Sequence, residues 1–192
     1  MRNIEARAVV RTACRVVIAG TLLTEAAAGA TLTVDTTDDT LNGTDGACSL
    51  REALINANND DQSGSTECAA GGGGTRDTIE FAASTNGTPI ALTIAGTGED
   101  AAMTGDLDVL DAVELLGNGV TETVIDGSGI DRVFDARAFL GLGELTVRGG
   151  ETSQAGGAVV TRGASLALVD AVVHGNQATV GGGLALASGD LF

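Results

Sequence analysis

The densest group of side chains able to do chemistry is Asp126, Asp131, Arg132 and Asp135, set among short alternating apolar runs. Carboxylates that hold Ca²⁺ and a basic residue that abstracts a proton are what a polysaccharide lyase needs, so these four are the catalytic candidates. The competing reading, which the sequence favours, makes Asp126-Gly127 a turn and puts the other charges on solvated strand positions. A second oxygen-rich stretch, Asp35, Asp38, Asp39, Asn42 and Asp45, offers ligand types suited to Ca²⁺. Its spacing departs from the D-x-D-x-D-G pattern of an EF-hand, so an Asx-rich loop is the default and Ca²⁺ the one cofactor to consider. The single histidine, His174, follows Arg148 by 26 residues with no base or orienting partner in view, which suits an outward-facing position. No G-x-S-x-G, P-loop, H-E-x-x-H or C-x-x-C occurs. Gly71 to Gly74 follow no strand and precede no Lys-Ser/Thr, so phosphate binding is unsupported.

All ten basic residues are Arg, and Arg2, Arg7, Arg11 and Arg15 precede the apolar run from Val16 to Leu23. The small residues Ala26 to Ala30 come next, and Ala28-Gly29-Ala30 fits an A-x-A cleavage site. Basic, then apolar, then small is the order of a secretory signal peptide, expected over residues 1–30; a short N-terminal helix of the mature fold is the alternative. The run is too short to span a bilayer and no other approaches it, so no transmembrane segment is expected in the mature chain. The net charge is −16; residues 1–30 carry four Arg and two Glu, and removing that +2 leaves −18. So acidic a surface repels nucleic acid and anionic membranes, and an extracellular or outer-surface location is expected. Of three cysteines, Cys14 leaves with the leader. Cys48 and Cys68 are an even pair in a secreted chain and are expected to form a disulfide. Closing that loop contributes about 3 kcal/mol on a chain-entropy account.

These residues need elements to position them. With no Trp or Tyr, four Phe, one Pro and 29 Gly, the core is built of small and β-branched side chains, which suit narrow repetitive stacking. Thr31 to Val34 alternates as a first strand. Ser49 and Glu52 have capping-box spacing, and the helix they open puts Leu50, Ala53, Leu54 and Ala57 on one face before Asn58 to Asp61 end it. From Asp77 onward short strands follow, at Thr78–Phe81, Ile90–Ile94, Leu107–Leu110, Val113–Leu116, Thr123–Ile125 and Arg132–Phe134, broken by Gly-rich turns. An offset of 26 links Leu145–Gly149 to Ala171–Gly175, Val133-Phe134 to Val159-Val160, and Gly157 to Gly183. Such a period reads as one coil of a solenoid. The expected fold is all-β, a right-handed parallel β-helix with a short N-terminal capping helix: residues 31–76 a cap region, and residues 77–192 four or five coils.

The string Cys48-Ser49-Leu50-Arg51-Glu52-Ala53 resembles the bacterial CSLREA-domain family, which is named for this motif. The likeness continues upstream in Thr33 to Asp39 and downstream in Ala57-Asn58, Gly105 to Asp108, Val124 to Gly127, Asp131 to Asp135 and Leu145 to Gly150, so it covers roughly residues 31–192. The resemblance implies a secreted or surface-displayed right-handed parallel β-helix with an N-terminal cap, and no established activity. Members usually continue through more coils, whereas the 26-residue register sets Leu191-Phe192 in mid-coil. The chain is therefore expected to be a truncated product, incomplete at its C-terminus, or one that assembles with something else.

Two functions of different class follow. The leading expectation is an adhesin-like scaffold without catalysis, partnered by extracellular polysaccharide or cell-surface components and not by nucleic acid. The alternative is a carbohydrate-active enzyme, a lyase or hydrolase on the same fold. A groove where carboxylates and an Arg converge would separate them.

Overall fold

The computed structural model describes residues 29–187 and Leu191; the expected leader lies outside the described residues, apart from Gly29 and Ala30. The fold is an all-β parallel solenoid with one short helix. Each rung crosses three parallel sheets in turn. The first rung contains β2 (Asp77–Phe81), β3 (Ile90–Ala91) and β4 (Leu107–Val109), and the second β5 (Val113–Leu116), β6 (Val124–Asp126) and β7 (Phe134–Ala136). The third contains β8 (Leu140–Gly143), β9 (Thr146–Arg148), β10 (Glu151–Ala155) and β11 (Val159–Arg162). The fourth contains β12 (Leu166–Val169), β13 (Val172–His174), β14 (Gln177–Val180) and β15 (Leu184–Ala187). Among the described residues four rungs are formed, and a parallel bridge from Leu166 to Leu191 begins another, in keeping with the four or five coils expected. Among the described residues no helix is long and apolar enough to cross a membrane.

Sheet 1 has the order β1-β2-β5-β8-β12, sheet 2 β3-β6-β9-β13, and sheet 3 β4-β7-β11-β15, while β10 and β14 pair as a separate ribbon; β1 is Thr31–Val34. The pairing stacks like on like. Leu32, Ile79, Leu115 and Leu142 form one inner ladder, Ile90, Ile125 and Val147 a second, and Leu107, Phe134 and Val159 a third. All of these side chains are buried, each contributing about 1.5–3 kcal/mol of apolar burial. Phe134 is the one aromatic in these three ladders; the other positions are filled by aliphatic side chains.

The 26-residue period holds in sheets 1 and 2 between the third and fourth rungs, where Leu140 pairs with Leu166 and Arg148 with His174, while between the second and third rungs Val113 pairs with Leu140 and Val124 with Thr146. It fails in sheet 3. Phe134 pairs with Val159 and Val159 with Leu184, an offset of 25, so the expected match of Val133-Phe134 to Val159-Val160 is one residue out. Between the third and fourth rungs the slip occurs in the ribbon, whose register shifts between Thr152 and Ala155. Gly156 and Gly181, also 25 apart, make the corner that follows with positive φ, and a Cβ on either would meet a backbone carbonyl at 2.3 Å. Strand ends also differ from expectation: β3 stops at Ala91, and β7 begins only at Phe134.

The helix α1 (Leu50–Asn59) starts at Ser49, whose side chain accepts from the Glu52 N–H while Glu52 accepts from the Ser49 N–H, and Asp60 ends it in the left-handed region. The expected capping box is present. The expected single apolar face is not the whole account, since every residue from Leu50 to Ala57 is buried, including Arg51, Glu52 and Asn56. Loops on both sides wrap the helix, tied by the Cys48–Cys68 disulfide with Cα atoms 4.9 Å apart. The cap is not a separate unit, because β1 extends sheet 1 beyond β2.

Candidate functional site

The acidic stretch before α1 does not converge on a cation. Asp35 accepts from the Cys48 N–H at 2.8 Å, and Asp45 accepts from the Ala47 N–H at 3.2 Å. Asp38 is exposed. Asn42 accepts from the Thr44 hydroxyl, and its N–H donates to Glu52. Asp39 is buried at its carboxylate and forms a two-point pair with Arg51, at 2.6 and 3.2 Å, while accepting from the Thr93 and Ile94 N–H groups. Among the described residues no group of three or more His, Cys, Asp or Glu is placed to hold a metal ion. The physical reason is that a chain entering a buried helix must satisfy its own backbone first, and Asx side chains do so locally.

Arg51 is the residue whose role sequence reasoning missed. It is fully buried, and besides Asp39 it donates to the carbonyls of Ala102, Gly105 and Asp106. Five donors in a fixed fork suit this clamp, which a point-charge Lys would not reproduce. In the motif string, then, Cys48 forms the disulfide, Ser49 and Glu52 cap the helix, Leu50 and Ala53 fill the core, and Arg51 joins the cap to the first rung.

The four catalytic candidates do not form one site. Asp126 lies on sheet 2, where it pairs with Arg148 at 2.9 Å and accepts from the Ser128 N–H, as a turn-forming Asp does. Arg148 and His174 continue that outward ladder, His174 being exposed as expected. Asp131, Arg132 and Asp135 gather instead near sheet 3 with Asp106, a residue the sequence reading had not singled out as chemical. Arg132 donates to Asp106 at 2.6 Å, to the Ala155 carbonyl and to Gln154. Asp131 accepts from the Arg132 N–H, and Asp135 is held by Arg162 at 2.7 Å. All four are at least 93 % buried: Asp106 is 5 %, Asp131 7 %, and Arg132 and Asp135 3 % exposed. Burial and Asp131 push the Asp106 carboxyl up to about 6, against the pull of Arg132. The carboxylates and an arginine do converge, but inside the protein, where no polymer chain reaches them.

What is open to solvent differs in character. The β10–β14 ribbon, together with Gly129, lines a shallow groove of about 550 Å³ with Glu151, Thr152, Ser153, Gln177 and Thr179. Neither strand of the ribbon contains a fully buried residue. The groove is lined by partly exposed hydroxyl and amide residues, two of them tied locally, Thr179 donating to the Ser153 carbonyl and Thr152 accepting from the Gln154 N–H, with Glu151 the one charge among the lining residues. A second open groove, of about 520 Å³, lies beside the cap and is lined by Thr37, Asp38, Thr40, Pro89 and Thr93.

Comparison with family models, with curated proteins and with solved structures finds no match to this chain.

Proposed function

We propose that the chain is a secreted or surface-displayed β-helix scaffold of adhesin-like kind, a CSLREA-domain protein exported by residues 1–30, that binds hydroxyl-rich extracellular polymer. The observation that carries this reading is the division of its polar groups. The carboxylates and arginines suited to chemistry are engaged with one another in the interior. The open ribbon groove, by contrast, presents neutral hydroxyl and amide groups around one carboxylate. Such a lining favours many modest hydrogen bonds to a polysaccharide or a glycosylated cell surface over the attack of one activated group. A net charge of −16 argues against nucleic acid as a partner.

The enzyme reading has one observation on its side, the gathering of Asp106, Asp131 and Asp135 about Arg132. Its burial argues against catalysis at that point. One experiment weighs both: the protein is incubated with a panel of acidic and neutral polysaccharides, with and without Ca²⁺, and both turnover and retention are measured. Retention without turnover, weakened by Thr152→Ala combined with Thr179→Ala, is expected. Turnover abolished by Asp131→Ala or Arg132→Ala would overturn the scaffold reading in favour of a lyase or glycoside hydrolase.

A further inference from the structure

Between β3 and β4 the chain inserts residues 92–106, fifteen residues where the next rung uses seven between β6 and β7. Residues 94–105 of this insertion form a flap. Its base is closed by the Gly105 N–H donating to the Ile94 carbonyl at 2.7 Å. Glu99 shapes its crest by accepting from the N–H groups of Ala101, Met103 and Thr104. Three side chains tether it to the solenoid. Arg51 of α1 grips the carbonyls of Ala102 and Gly105, Arg137 after β7 pairs with Asp100, and Asp108 of β4 accepts from the Ala102 N–H at 2.9 Å. Ala102 is itself fully buried with φ of +59°, a conformation an alanine keeps only when its surroundings hold it there.

Asp108 is the anomalous tether. It is fully buried, and its second carboxylate oxygen, Oδ1, has no hydrogen-bond partner. The strand register sets it beside Asp135 of β7. Asp106 precedes it by two residues, with Asp131 acting on Asp106 in turn, and Glu99 in the flap adds a further like charge. The cations around it are already matched: Arg51 with Asp39, Arg132 with Asp106, Arg137 with Asp100, and Arg162 of β11 with Asp135. As a carboxylate, Asp108 would be a buried charge among like charges, with no ion pair of its own and only Arg137, already paired with Asp100, to attract it. As a carboxylic acid it keeps the bond from Ala102 and carries its proton on the partnerless oxygen.

We propose that Asp108 is a proton-operated latch: protonated, it holds the 94–105 flap against sheet 3, and ionised, it is repelled by Asp106, Asp135 and Glu99 and releases the flap. Burial first, then Asp106, Asp135 and Glu99, push its carboxyl up to about 7, while the Ala102 N–H opposes the rise. The switch therefore falls at neutral pH. Arg51 holds the carbonyls of Ala102 and Gly105, whereas Asp108 holds the Ala102 N–H, so release frees that N–H and loosens the flap on its Asp108 side. The inference does not depend on the scaffold reading.

Hydrogen exchange at Ala102 tests it, with the intrinsic pH dependence of exchange divided out. In the wild-type protein, protection is expected to fall about tenfold or more between pH 5 and pH 8, the loss of a local closed state. In Asp108→Asn, which keeps an acceptor for Ala102 and cannot ionise, protection is expected to be equal at both pH values. Equal wild-type protection at both, or the same pH-dependent loss in Asp108→Asn, overturns the latch. Because that variant can fail to fold, the Asp108 carboxyl carbon is also titrated by NMR in the wild-type chain. A midpoint above about pH 6 is expected, and one below it overturns the proposal.

Discussion

The cap and the fourth rung are built on opposite plans. Around α1 the chain is held by side chains each used once: Arg51 on three carbonyls and Asp39, Asn56 on the Ser65 and Ala69 carbonyls, Asn58 on the Asp108 carbonyl and the Leu110 N–H. Around the fourth rung the backbone ladder and stacked aliphatics do the same work, and Val169, Val172 and Val180 stay exposed. The difference teaches where specificity resides. A repeated rung needs only its neighbour's register, whereas a helix buried on every side must meet a distinct partner at each polar atom.

Four variants and one titration sharpen the contrast. Arg51→Ala removes the counter-ion of buried Asp39 and the donors to three carbonyls. A loss of about 3–5 kcal/mol is expected in chemical denaturation. Replacing Cys48 and Cys68 together by Ser should lower stability by about 3 kcal/mol and loosen the cap before the rungs, visible as faster exchange in residues 35–76.

The titration concerns Asp106 and Asp108, whose carboxyls lie near 6 and 7 in the folded chain against 3.8 ordinarily. The folded chain thus holds protons that the unfolded chain releases. The stabilisation is complete below about pH 4 and is lost as pH rises through 6 and 7, on the order of a few kcal/mol. Comparing unfolding free energies of wild type and Asp108→Asn from pH 4 to 8 isolates the Asp108 share. The variant should gain relative stability steadily as the pH rises, and a constant gap would contradict the assignment.

Smaller effects should mark the simpler regions. Ser49→Ala removes the N-cap acceptor of α1 and is expected to cost about 1 kcal/mol, read as a shifted denaturation midpoint with an unchanged slope. Arg148→Ala breaks the half-exposed pair with Asp126 on the outer ladder of sheet 2. There the change should stay below about 1 kcal/mol, and a cost near that of Arg51→Ala would erase the distinction between the cap and the repeated rungs.

Local chemistry determined a good deal of this protein from sequence alone. Alternation marked β1 and the strands of the first two rungs, Ser49 and Glu52 announced the helix start, and an even cysteine pair announced the disulfide, because each signal lies within one element or one short loop. The 26-residue repeat was legible for the same reason wherever residues with matching turns recur, as at Leu145–Gly149 and Ala171–Gly175. The one-residue slip in sheet 3 was not, since a shift inside the β10–β14 ribbon leaves no mark in composition. Tertiary structure alone decided which charges are interior. Asp108 alternates with Leu107 and Val109 as any outward strand residue does, and only the flap, folded over it and clamped by Arg51 from 51 residues away, makes it a buried acid. Burial of a polar side chain is set by what packs over it, and that covering segment comes from a part of the chain no local pattern connects to it.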